Sequence, residues 1–84
     1  MTTFLLGVRH EDVELLVSER IYIRTHLPTG RVSVLSIELT DEEVLLFLIN
    51  GFIFEKSLLR TNEMWLHENL LTKDHIAIFN SLIP

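Results

Sequence analysis

Hydrophobic and polar positions in this chain fall into short blocks whose period changes several times. Thr3 to Val8 is a nearly unbroken apolar run, the pattern of a short strand buried on both faces, and Gly7 within it marks a close backbone approach or a bulge. In His10 to Arg20, Val13, Leu16, Val17 and Ile21 recur at helical spacing, while Val13, Leu15 and Val17 also alternate as a strand would. Early acids (Glu11, Asp12, Glu14) and a late Arg20 tip that segment toward helix. Arg20 to Leu39 reads as a β-hairpin closed by Leu27-Pro28-Thr29-Gly30-Arg31, a type I turn with Pro28 at its first central position and Gly30 left-handed. Such a turn pairs Leu27 with Arg31, Thr25 with Ser33, Ile23 with Leu35 and Ile21 with Ile37. One face then collects Ile21, Ile23, Leu27, Leu35, Ile37 and Leu39, and the other Arg20, Tyr22, Arg24 and His26 opposite Val32, Val34 and Ser36. A slip of one residue would pair Ile21 and Ile23 with Val32, Val34 and Ser36 instead.

Thr40 to Phe54 carries the strongest local signal. Thr40 and Glu43 have the spacing of a capping box, and Asp41, Glu42 and Glu43 place negative charge at the positive end of the helix dipole. Asn50-Gly51 is a stop signal, and Phe52 beyond it is positioned to close on Phe47. Val44 to Ile49 is apolar all round, which predicts a helix over 41–50 buried on most sides. Phe52 to Phe54 then begins a strand or crosses over, and Lys56 to Arg60 has the pattern of one helical turn. Asn62 could cap a helix over Glu63–Leu71, and Thr72 a final helix over Lys73–Leu82. These elements predict an α+β fold in a single compact domain, residues 1–84: a small, mostly antiparallel sheet of one strand plus a β-hairpin, with about three helices packed on one face.

Composition narrows the partners. Hydrophobic residues reach 48% with a mean hydropathy of +0.32 in 84 residues. A domain this small has too much surface to hide that much apolar area, so part of it is expected to meet another chain, as a homodimer or on a larger protein. The chain has no cysteine, so it has neither disulfides nor a thiolate zinc site and suits a reducing cytoplasm. The apolar N-terminal run is too short for a signal peptide, and Val44 to Phe54 is about half a membrane span, so no membrane role is expected. The net charge of −5 opposes general nucleic-acid binding. That charge is polarised, because residues 20–34 hold Arg20, Arg24 and Arg31 and no acid, whereas residues 35–55 hold five acids and no base.

No catalytic pattern emerges, so the chain is expected not to be an enzyme. The four histidines match no metal-ligand spacing, no serine sits in a nucleophile elbow, and the glycines are isolated, so neither a metal nor a cofactor is expected. Two surfaces are candidates for binding. Arg20, Tyr22, Arg24 and His26 on the outer hairpin face suit phosphates, carboxylates or an acidic protein surface. Phe52, Ile53, Phe54, Leu58, Leu59 and Trp65 form an apolar cluster that is either core or interface, with Trp65 the candidate hot spot. The resulting expectation is a small non-enzymatic protein-binding module, an inhibitor or adaptor of the kind phages and mobile elements encode. The alternatives are a nucleic-acid reader using the arginine-bearing ribbon and a small hydrolase or transferase.

Overall fold

The sheet is built outward from β1 (Thr2–Arg9), whose Phe4–Val8 core is buried throughout. A computed structural model describes residues 2–27, 31–57 and 62–83, without the side chains of residues 25–27. The remaining strands are β2 (Tyr22–Leu27), β3 (Val32–Leu39), β4 (Glu55–Lys56) and β5 (Glu63–Trp65), in the spatial order β2-β3-β1-β5-β4. β1 lies antiparallel to β3 and parallel to β5, so the sheet is mixed. Helices α1 (Asp41–Ile49) and α2 (Lys73–Leu82), with a 3₁₀ segment over His10–Leu15, complete a small α+β fold.

Alternation along the strands divides the residues between two faces. Phe4, Leu6 and Val8 of β1 and Leu35, Ile37 and Leu39 of β3 form one core with Phe47 of α1 and Ile76 and Phe79 of α2. The helices therefore cover one face; the other, called the open face because no described helix lies over it, carries Thr3, Leu5 and Gly7 of β1, with Leu5 and Gly7 nonetheless buried. A Cβ on Gly7 would stand 3.0 Å from the Leu70 side chain, so glycine here allows the chain after β5 to fold close over the strand.

Both helix starts follow their capping sequences. The Thr40 hydroxyl accepts from the Glu43 N–H while the Glu43 carboxylate accepts from Thr40 N–H, and Thr72 and His75 make the same reciprocal pair at α2. At the end of α1, Gly51 adopts φ 87°, Phe52 N–H donates to Phe47 O at 3.0 Å, and Gly51 N–H donates to Leu48 O at 3.2 Å. The Phe47 and Phe52 rings close edge-on at 5.0 Å, completing a Schellman end.

Three expectations are corrected. Residues 10–20 hold only a 3₁₀ segment to Leu15, without a side-chain cap at Arg9, and Leu16 is already extended. The expected helix over Glu63–Leu71 is instead β5 followed by bends. Met64, Trp65 and Leu66 are consecutive and apolar, which a strand divides between two faces and a helix face cannot. The hairpin register changes partway: Leu27 faces Val32, His26 faces Ser33 and Thr25 faces Val34, one residue off the pairing expected near the turn. A bulge between Ile23 and Thr25 then restores Ile23 opposite Leu35. The turn residues 28–30 and the helical turn expected within 56–60 lie largely outside the described residues; Glu55–Lys56 is strand.

Candidate functional site

α1 is apolar around its whole circumference but buried along one line. At about 100° per residue, Phe47, which is fully buried, points opposite the midpoint of an outer arc formed by Leu48, Leu45, Ile49 and Leu46. Those four are 49%, 58%, 79% and 42% exposed. The expectation that α1 is buried on most sides is thus wrong. The sheet and α2 pack against the Phe47 side, and the opposite side is left largely to solvent. The arc spans roughly 160°, and Ile53, 53% exposed, stands just past the helix end. Scattered apolar residues on a surface are ordinary, whereas a contiguous patch of this kind is a candidate interaction surface.

The α1 frame is fixed from its first turn. Arg20 donates to both Glu43 oxygens, at 2.7 and 2.9 Å, and to the Glu38 carbonyl at 2.6 Å. The Arg20 hydrogen bond is the main cause that lowers the Glu43 carboxyl to about 2, against partial desolvation, and the Thr40 N–H acts in the same direction. The Arg20 guanidinium is raised in turn by the same hydrogen bond. This fork ties the segment before β2 to the start of α1.

The five candidate residues from the sequence are not one cluster. Arg20 turns toward α1. Tyr22 faces Ser36 on the open side of the sheet and is 67% exposed. Arg24 crosses the same face to donate to Glu63 Oε1 at 2.9 Å. From β2 to β5 is three strand spacings, about 14 Å, so both side chains lie extended over the small polar residues Thr3 and Ser36 between them. Glu63 is buried and was invisible as a partner in the sequence, where it read as the start of a helix. Trp65, half-buried, lies beside Leu5 on this open face with its ring 3.8 Å from the Gly7 Cβ position. The His26 side chain, Leu58 and Leu59 lie outside the described residues. Of the remaining apolar cluster, Phe52 is core and Phe54 packs against Phe4 at 5.0 Å between ring centroids.

A third grouping lies beneath the end of α1. His67 and His75 stand 4.4 Å apart between ring centroids, and both rest against Phe52 at 5.6 Å. Each ring accepts a backbone N–H at Nδ1: Ile53 N–H at 3.4 Å on His67 and Thr72 N–H at 3.1 Å on His75. His67 is lowered from its ordinary value, first by desolvation and then by His75, with Glu68 opposing. Among the described residues no group of three or more acidic or histidine side chains could hold a metal ion, and no helix is long and apolar enough to cross a membrane. Comparison with protein-family models, with curated proteins and with solved structures found no match to this chain.

Proposed function

We propose that this chain is a non-enzymatic protein-binding module that lays the outer face of α1 into an apolar groove on a larger protein, as an inhibitor or adaptor would. The carrying observation is the width of the exposed arc from Leu48 through Leu45 and Ile49 to Leu46. A flat helix-on-helix seam covers a stripe of about 100° or less. Covering an arc of roughly 160° takes a concave partner that reaches both flanks, the helix-in-groove mode. Asp41 and Glu42 are exposed in the first turn and the last turn holds no base, so the groove is expected to be rimmed by Lys or Arg at the end that receives Asp41. Leu45, Leu48 and Ile49 provide the anchors.

The arginines that a nucleic-acid ribbon would aim at phosphates instead hold Glu43 and Glu63, which favours the protein-binding reading. Light scattering over a range of concentrations is the first test, with the Leu45→Glu/Ile49→Glu variant beside the wild type. Monomers are expected from both. A wild-type dimer that the variant returns to monomer would assign the face to a second copy and overturn the proposal. Hydrogen exchange on the complex with a purified partner should then protect Leu45 to Ile49; protection confined to the open sheet face around Tyr22 and Trp65 would also overturn it.

A further inference from the structure

We propose that His67 and His75 form a proton-operated latch that holds the Phe52–Phe54 crossover and the start of α2 in place. Both Nδ1 atoms accept backbone N–H groups, which assigns each neutral ring its Nε2–H tautomer. Protonating either ring replaces that acceptor with a donor facing another donor. At His67 the hydrogen bond from Ile53 is broken, and at His75 the Thr72 N–H loses its acceptor while the Thr72 hydroxyl stays 3.1 Å from Nδ1. Two imidazolium rings 4.4 Å apart also repel each other.

The Thr72 hydroxyl can accept from a protonated His75, so the larger loss falls at His67. Phe52 presents an uncharged ring to both histidines. Glu68 acts on His67 from its own loop, and Lys73 and Asp74 flank His75 along α2. On α1 the acids lie in the first turn, away from the Phe52 end. The latch connects to α1 through aromatic contacts, because Phe52 closes on Phe47 at 5.0 Å and Phe47 rests on Phe79 at 5.5 Å. Acidification therefore loosens Ile53 and the C-terminal anchor of α1 together. The consequence for docking rests on the α1 reading above; the latch does not.

The test is amide hydrogen exchange of Ile53 and Thr72 in the full chain, corrected for intrinsic rates, from about pH 7.5 to about pH 5.5, across the ordinary imidazole range. Protection at both amides is expected to be lost progressively as the pH falls, at Ile53 through the lowered range of His67. The His67→Asn/His75→Asn variant keeps an acceptor oxygen near each Nδ1 without titrating, and its protection should stay flat. A flat wild-type profile, or an equal loss in the variant, would overturn the latch. Should the variant fail to fold, the wild-type imidazole titration decides. A His67 step below the ordinary histidine value that moves the Ile53 amide signal supports the latch, and imidazole titration that moves neither the Ile53 nor the Thr72 amide signal refutes it. None of these readings depends on whether α1 docks.

Discussion

Phe47 and Ile49 are two positions apart in one apolar run, yet they should respond oppositely to truncation. Phe47 is fully buried against Phe52 and Phe79, so Phe47→Ala leaves a ring-sized cavity and should cost about 3–5 kcal/mol. A domain of this length has roughly 4–12 kcal/mol of total stability, so that one change removes a large part of it; Phe47→Leu is the milder companion. Ile49 is 79% exposed, and Ile49→Ala should fall within about 0.5 kcal/mol of wild type, because alanine's better helix propensity offsets the little packing that the isoleucine side chain makes. Urea unfolding followed by Trp65 fluorescence reads both, at several protein concentrations. An Ile49→Ala cost above about 1.5 kcal/mol would refute the orientation of α1. Concentration dependence of that cost would point to self-association, and its absence to burial within the chain.

Arg20→Ala should destabilise by about 1–2 kcal/mol, because it removes a forked carboxylate contact and a carbonyl contact at a partly exposed site. Glu43 is lowered below its unfolded value of 4.5, so its contribution is present above pH 4.5 and is lost as pH falls toward about 2. Acid titration of stability should therefore be shallower over that window in Arg20→Ala than in wild type. Gly51→Ala should cost about 1 kcal/mol or more in thermal melts, because φ 87° strains any residue with a Cβ although the space around it is open. Arg24→Gln should cost more than Glu63→Gln in the same assay, because the first leaves the buried Glu63 carboxylate without its arginine whereas the second leaves the more exposed Arg24 to water.

Local signals were legible in the sequence wherever a backbone group needed a specific side chain. Thr40 with Glu43, Thr72 before α2 and Gly51 after α1 each satisfy or release helix-end groups, and those ends fall where the pattern placed them. Features set by distant partners were not legible. β5 is three residues long with no period to detect, and it is secured by hydrogen bonding to β1 some sixty residues earlier. The bulge at Arg24 shifts half a register without any glycine or proline to mark it. An apolar run such as Val44–Ile49 looks identical whether the chain covers all of it or only Phe47, so the exposure of Leu45 and Ile49 is a tertiary fact. Tyr22, Arg24 and Trp65 do share the open sheet face, but Glu63 joins them only through β5. His67 and His75, eight residues apart, meet because the chain leaves β1 at Leu66 and rejoins it at Leu71.

The most direct test of the α1 docking face is a calorimetric titration of a purified partner with wild type and with Leu45→Glu/Ile49→Glu of confirmed fold. Burying two carboxylates in an apolar groove should weaken binding by about a hundred-fold or more, the scale of a lost hot spot, while Arg24→Gln changes it little. Equal affinity for wild type and the double variant would contradict the account.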